Sequence, residues 1–235
     1  MERIVVCRYV WVLLLMLISV GGQAEPKDSL RVTIFGDSYS TFEGYNYPAT
    51  NETWYYAKGR KDNDVKKVEQ TWWYQVARKK GCKVERVNAY SGSTVCRTGY
   101  KGEDYTERSF INRMSNLGEP DVILICAATN DSWANAPIGE YKYGEWTDKE
   151  LYSFRPAMAK LCWGLRTHYP KARLLFILNS GLKPVINESV RTICHHYDVP
   201  LLLLHDIDKQ AGHPSVKGMA SIAEQVAEAL SIPNN

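Results

Sequence analysis

Short apolar runs alternate with longer amphipathic segments along most of the chain. The runs are rich in Val, Ile and Leu and are about four to eight residues long, which predicts buried strands. We predict five strands, over residues 32–35, 82–89, 121–128, 173–179 and 200–204. The third run is apolar throughout, as expected for a central strand of a parallel sheet that is covered on both faces.

The segments between these runs predict five helices. They span residues 70–80, 108–117, 148–168, 184–197 and 215–230. Glycine follows the first two, at Gly81 and Gly118, where a left-handed residue commonly ends a helix. Strict alternation of strands and helices favours one doubly wound α/β domain, with a parallel sheet and helices on both of its faces.

Residues with catalytic potential follow four of the predicted strands. Ser38 follows the first strand, Gly92 the second and Asn130 the third, and His213 lies in the loop after the fifth. Ligands of open α/β sheets bind at the carboxyl ends of the strands. We therefore expect these four residues to share one cleft.

The same four places carry the sequence blocks of a known family. The blocks are Gly36-Asp37-Ser38-Tyr39-Ser40, Asn88 with Ser91-Gly92, Ala128-Thr129-Asn130-Asp131, and His213-Pro214. In order and spacing they resemble the SGNH (GDSL-type) hydrolase family over nearly the whole chain after residue 24. The resemblance implies a three-layer α/β/α fold of the flavodoxin-like, doubly wound type around a five-stranded parallel sheet, with ester hydrolysis as the usual activity.

Each block has a role in that chemistry. Ser38 would attack an acyl carbonyl and form a covalent acyl-enzyme, with His213 as the base that takes its proton. The oxyanion of the intermediate would be bound by the backbone N–H groups of Ser38 and Gly92 and by the side-chain amide of Asn130. His205 is the rival base. No cofactor or metal is expected, because no cluster of ligating residues is apparent.

Two positions depart from the family pattern. Ala128 stands where the third block usually begins with glycine, and Gln210 stands three residues before His213, where the family usually has aspartate. Asp208 is our first candidate for the acid that orients the imidazole, and we assign Asp37 to the turn instead. A backbone carbonyl or Gln210 would leave a Ser-His dyad, and a weak or inactive site is the third outcome. The question matters because loss of a triad acid can cost about 10⁴ in rate.

Two loops rich in aromatic residues, 42–64 and 133–147, favour a carbohydrate substrate, because Trp and Tyr stack on sugar rings. The candidate substrate-binding residues are Tyr45, Tyr47, Trp54 and Trp133. We expect a serine esterase that hydrolyses small acyl esters on a small molecule or a glycan, with acetyl esters as the first candidate. A catalytically inactive carbohydrate-binding protein with the same fold and an O-acyltransferase stay open as alternatives.

The first 24 residues have the pattern of a secretory signal peptide. Arg3 and Arg8 precede an apolar run over residues 9–20, and Gly22 and Ala24 are the small residues of a cleavage site after Ala24. We expect export to the periplasm or the extracellular space as a single domain of residues 25–235, not associated with a membrane after cleavage. The net charge of +3 is too small to indicate a nucleic-acid partner.

Overall fold

Five parallel strands form the centre of the fold. In the computed structural model, which describes residues 29–230, they are β1 (Arg31–Gly36), β2 (Lys83–Ala89), β3 (Val122–Ala127), β4 (Arg173–Leu178) and β5 (Leu201–Leu203). Their order across the sheet is β2-β1-β3-β4-β5. In this order the switch point lies between β1 and β3, which is where such sheets bind their ligands. The predicted signal peptide lies outside the described residues.

Helices cover both faces of the sheet. They are α1 (Trp72–Lys80), α2 (Phe110–Arg113), α3 (Thr129–Trp133), α4 (Phe154–His168), α5 (Pro184–His196) and α6 (Val216–Ala229). Side chains of α1 and α6 pack on one face, and those of α2, α4 and α5 pack on the other. The expected three-layer α/β/α architecture is confirmed.

The pleat of the strands divides the core into two apolar clusters. Phe35, Ile123 and Ile125 belong to the cluster under α4 and α5, whereas Ile34 and Leu124 belong to the cluster under α1 and α6. Successive side chains of a strand point to opposite faces, so a strand covered on both sides is apolar throughout. The predicted strands agree with the observed ones to within a few residues at each end.

The predicted helix over residues 108–117 is wrong, because the structure forms only the single turn α2 there. Arg113 is buried and directs its guanidinium to carbonyl groups at the ends of β1 and β2. After Arg113 the chain forms a tighter turn, in which the Asn116 N–H donates to the Arg113 carbonyl, three residues back, at 3.0 Å.

The helix predicted over residues 148–168 begins later than expected. Residues 150–152 form a separate 3₁₀ turn, and Ser153 is extended, so that α4 starts at Phe154. The Leu151 carbonyl accepts from the Arg97 N–H at 3.0 Å, and the Tyr152 carbonyl accepts from the Thr98 hydroxyl at 2.6 Å. These carbonyls are therefore bonded to the segment that follows β2 and not to α4.

The loop that carries His213 contains a small hairpin, in which β6 (Lys209–Gln210) pairs with β7 (His213–Pro214) in antiparallel fashion.

None of the helices within residues 29–230 is long and apolar enough to cross a membrane. The five cysteines of this range all carry free thiols.

Candidate active site

A tight turn places Ser38 at the carboxyl end of β1. A Cβ atom on Gly36 would lie 2.3 Å from the Ser40 Oγ, so the turn closes only around glycine. Asp37 caps the turn, because its Oδ1 accepts from the Tyr39 N–H at 3.0 Å. Burial raises the pKa of the Asp37 carboxyl to about 7, against the opposing effect of this hydrogen bond. Asp37 thus serves the turn, as expected.

The structure brings Ser38 and His213 together. The Ser38 Oγ lies 2.9 Å from the His213 Nε2, and both residues are at most 9% exposed. The other ring nitrogen, Nδ1, lies 3.1 Å from the Ala211 carbonyl oxygen. Because a carbonyl oxygen only accepts, Nδ1 carries the proton in the neutral ring, and Nε2 is free to accept from the serine hydroxyl.

The Ala211 carbonyl owes its position to the hairpin turn. Ala211 and Gly212 have φ angles of 49° and 76°, and Gln210 pairs with His213 across them. Positive φ at both central residues is the mark of the type I′ turn that best joins two twisted strands. The left-handed conformation costs alanine about 1–2 kcal/mol, so contacts with the surrounding structure must stabilise the turn.

Asp208 does not orient His213 in the structure. Its carboxylate accepts from the Ser215 hydroxyl, and Ser215 in turn caps α6 by accepting from the Gly218 N–H at 3.1 Å. A Cβ on Gly218 would lie 2.0 Å from the Asp208 carbonyl oxygen, so this segment packs directly on the helix. Asp208 is therefore committed to the start of α6, and our first candidate for the orienting acid is corrected.

The other two candidates, Gln210 and His205, also form contacts with other residues. The Gln210 Oε1 accepts from the Asp64 N–H at 2.9 Å. His205, the rival base, is exposed and pairs with Asp206 at 2.9 Å. Among the three arrangements left open by the sequence, the geometry is that of a Ser-His pair oriented by a backbone carbonyl.

Aromatic rings enclose the imidazole. The Trp54 ring stacks on it, with centroids 3.7 Å apart and planes inclined by 9°. The Arg60 guanidinium also packs on Trp54, 4.4 Å from its ring centroid. Trp133 approaches edge-on at 6.0 Å. Burial in these surroundings lowers the pKa of His213 to about 4, so the ring is neutral at pH 7.

Two of the four aromatic candidates from the sequence are thus placed at the imidazole, namely Trp54 and Trp133. Tyr45 packs against Phe42 and Trp73 instead. The Tyr47 ring covers the Arg86 guanidinium at 4.0 Å in a separate surface cavity beside β2. The structure does not bring Tyr45 and Tyr47 to Ser38.

Asn130 and Gly92 lie on the segments that follow β3 and β2. The Asn130 Nδ2 donates to the Ser93 carbonyl at 3.0 Å, and its Oδ1 accepts from the Tyr100 hydroxyl at 2.7 Å. This arrangement fixes the orientation of the amide and leaves it one further N–H. Gly92 has a φ of 78°. Ala128 has a φ of 74°, which explains why glycine is usual at this position of the family pattern.

A buried arginine, which the sequence reasoning missed, connects the strand ends. The Arg113 guanidinium donates to the Asn88 carbonyl at 3.0 Å, the Ser93 Oγ at 3.1 Å and the Gly36 carbonyl at 3.3 Å. Burial lowers its pKa to about 9, against the opposing charge of Asp37, so it remains a cation at pH 7. The available signal was an arginine within the apolar face of the predicted helix.

A buried aspartate anchors the loop beyond Gly92. The Asp131 carboxylate accepts from the Val95 N–H at 2.8 Å and from the Cys96 N–H at 3.2 Å. Burial raises the pKa of Asp131 to about 6, against the effect of these bonds. Asp131 follows Asn130 in α3, so the loop and the amide are held on the same turn.

Comparison with known proteins identifies the family. Residues 30–230 match the GDSL-like lipase/acylhydrolase family. The chain belongs to this family of ester hydrolases, and the resemblance found in the sequence is confirmed. No curated protein matches the chain in sequence.

Two crystal structures are similar over most of the chain. A protein from Bacteroides uniformis, described as a GDSL-like lipase, is 53% identical, with a TM-score of 0.86 over 87% of this chain and 97% of that one. A protein from Bacteroides ovatus with the same description is 50% identical, with a TM-score of 0.86 over 87% and 99%. An acetyl xylan esterase from Butyrivibrio proteoclasticus shares the fold at 17% identity, with a TM-score of 0.53 over 88% and 64%.

Replacing Arg113 tests how far the site depends on its buried cation. In Arg113→Met the Asn88, Ser93 and Gly36 acceptors lose their donor. Because each buried group left without a partner costs about 1–3 kcal/mol, we expect the free energy of unfolding in urea to fall by about 3–5 kcal/mol. The control is Arg191→Met, an exposed position on α5, which should change it by less than about 0.5 kcal/mol. A loss in Arg113→Met no larger than in the control would show that the cation does not hold the strand ends.

Proposed function

We propose that this protein is a serine esterase in which Ser38 and His213 act as a catalytic dyad through a covalent acyl-enzyme. The observation that carries the proposal is the 2.9 Å contact from the Ser38 Oγ to the His213 Nε2, with Nδ1 held by the Ala211 carbonyl. A hydroxyl paired with a neutral, buried imidazole has the arrangement required for nucleophilic catalysis.

The geometry supports a two-step reaction. The Ser38 Oγ attacks the acyl carbon while its proton passes to the His213 Nε2, and the resulting imidazolium returns this proton to the leaving alcohol. Water then attacks the acyl-enzyme with His213 again as the base, which releases the acid and restores Ser38. The oxyanion of each intermediate is bound by the Ser38 and Gly92 backbone N–H groups and by the remaining Asn130 amide N–H.

The dyad stabilises the imidazolium without a carboxylate. The neutral Ala211 carbonyl orients the ring, but it offers less electrostatic stabilisation than the charge of an aspartate. Trp54 stacks on the imidazole and so fixes the plane of the ring. The nearby charge of Arg60 opposes protonation of His213. We infer that Trp54 takes over the orienting part of the absent acid's role, and not the stabilisation by its charge.

We further propose that the substrate is a small acyl ester, above all an acetyl ester, carried by a carbohydrate. Trp54 and the partly exposed Trp133 stand beside His213, where the leaving alcohol must lie to be protonated. Structural neighbours of low identity include a family two carbohydrate esterase from Clostridium thermocellum in complex with cellohexaose. The signal-peptide pattern of residues 1–24 supports a site of action outside the cytoplasm, where acetylated glycans occur in preference to cytosolic thioesters.

The nucleophile assignment is tested with p-nitrophenyl acetate and a fluorophosphonate probe. We expect Ser38→Ala to abolish both turnover and covalent labelling, because it removes the hydroxyl that His213 activates. Release of free acetate distinguishes hydrolysis from acyl transfer, in which the acetyl group would appear on an added sugar acceptor. Undiminished labelling of Ser38→Ala would exclude Ser38 as the nucleophile, and an unlabelled, inactive wild type would favour the carbohydrate-binding alternative.

The orienting group is tested by comparing Asp208→Asn with Trp54→Ala. In Asp208→Asn the new side-chain amide keeps an oxygen that accepts from Ser215. We therefore expect kcat within about threefold of wild type, against the roughly 10⁴-fold loss when a triad acid is neutralised. Trp54→Ala should lower kcat by about 10- to 100-fold through misplacement of the imidazole, and Trp54→Phe should restore most of the loss.

The matched control is Trp163→Ala, an exposed tryptophan on α4 that should leave kcat unchanged. A severe loss in Asp208→Asn with a normal thermal transition would return the acid role to Asp208.

A further inference from the structure

A cavity that the proposed mechanism does not use opens beside Gly92. It has a volume of about 560 Å³, within the usual range for small-molecule sites, and we call it the Tyr90–Tyr105 pocket after two of its lining residues. Tyr90 immediately precedes the Ser91-Gly92 block. A Cβ on Gly92 would lie 3.6 Å from the Nη1 of Arg108, another lining residue. Arg108 of the pocket wall therefore lies next to Gly92, whose backbone N–H is a proposed oxyanion donor.

The wall is also joined to a second oxyanion donor. The Tyr100 hydroxyl donates to the Asn130 Oδ1 at 2.7 Å, and the Tyr100 ring lies 6.5 Å from the Tyr105 ring, centroid to centroid. Gly92 and Asn130 thus each have a neighbour in or against this wall. The pocket therefore borders residues that are next to both proposed oxyanion donors.

The lining indicates the chemistry of a ligand. Among the described residues that form it, none is aliphatic, and three are tyrosines. The cations Arg97 and Arg108 are balanced by the anions Asp104 and Glu107, so that the lining has no net charge. An acyl chain would require an apolar lining, and an anion would require an excess of cations. Hydroxyl groups, which both donate and accept, match guanidinium donors and carboxylate acceptors together.

The polar groups of the pocket are already ordered. The Arg108 guanidinium lies between the Tyr90 and Tyr105 rings, 4.8 and 4.4 Å from their centroids, and pairs with Glu52 at 3.3 Å. On the far side, the Tyr152 hydroxyl donates to the Asp104 Oδ2 at 3.1 Å. Side chains that are fixed before binding lose less entropy when a ligand arrives.

We propose that the Tyr90–Tyr105 pocket is a subsite for an uncharged sugar ring of the substrate, occupied while the ester carbonyl lies between Gly92 and Asn130. This assignment rests on the proposed esterase function and adds to it a basis for glycan selectivity. It accounts for an aromatic, charge-balanced cavity at the oxyanion loop, which hydrolysis of a small ester alone does not need.

The test measures selectivity and not activity alone. We compare kcat/KM for acetylated xylo-oligosaccharides with kcat/KM for p-nitrophenyl acetate, which is too small to occupy both sites. In Tyr105→Leu and Arg108→Gln we expect the ratio of the two values to fall by about tenfold or more, as when a binding contact of the substrate is removed. Arg108→Gln retains most of the side chain, so it serves if the tyrosine variant does not fold.

The matched control is Tyr47→Leu, which removes a tyrosine stacked on an arginine in the separate cavity beside β2. Its ratio should equal that of the wild type. A ratio unchanged in both pocket variants overturns the subsite, and the esterase proposal then stands if the wild type still deacetylates the glycan. A wild type that cleaves only p-nitrophenyl acetate overturns the glycan substrate and the subsite with it. Preference for acetylated galacturonan over the xylo-oligosaccharide overturns the assignment to an uncharged sugar.

Discussion

The hydrogen bond between the His213 Nδ1 and the Ala211 carbonyl is the constraint on which the site depends. A carboxylate on a side chain can adjust its position, whereas a backbone carbonyl moves only with its hairpin. The hairpin is accordingly fixed from several directions. The Tyr39 hydroxyl donates to the Gly212 carbonyl at 2.8 Å, and the Pro214 carbonyl accepts from the Tyr55 hydroxyl at 2.9 Å. These contacts hold a turn that alanine alone would not favour.

A second set of contacts fixes the opposite side of the cleft. Arg113 binds the ends of β1 and β2 together, and Asp131 holds the loop beyond Gly92 against α3. Both are buried charges that are paired with several hydrogen-bonding partners, which limits the cost of their desolvation. The oxyanion donors on these segments are thereby preorganised and need no rearrangement as the oxyanion forms. The segments that carry Ser38, Gly92 and Asn130 are therefore joined by buried polar contacts.

The sequence was sufficient for the sheet and for bringing Ser38 and His213 together, because apolar period and strand-end position are local properties of the chain. It was insufficient where long-range contacts decide. The role of Arg113 was missed, because its acceptors lie on strands distant in sequence. The choice between Asp208 and a carbonyl depended on a two-residue turn, and spacing alone does not specify its geometry.

The aromatic residues of the loops show the same limit of prediction from sequence alone. Composition marked the loop of residues 42–64 as functional, but only the folded chain separates Trp54, which stacks on His213, from Tyr45 and Tyr47, which face elsewhere. Both the family and its fold are established by comparison, whereas the substrate depends on such placements. The carbohydrate assignment accordingly rests on the tryptophans at the imidazole and on the pocket beside Gly92.

The most direct test of the account is a ¹⁵N NMR titration of the His213 imidazole in the free protein. The account predicts a neutral ring with its proton on Nδ1, donated to Ala211, and protonation only as the pH falls through about 4. Loss of the base form should follow the same transition, because the imidazolium cannot accept the Ser38 proton. A ring with its proton on Nε2, or one that titrates near the ordinary histidine pKa of about 6.5, would contradict it.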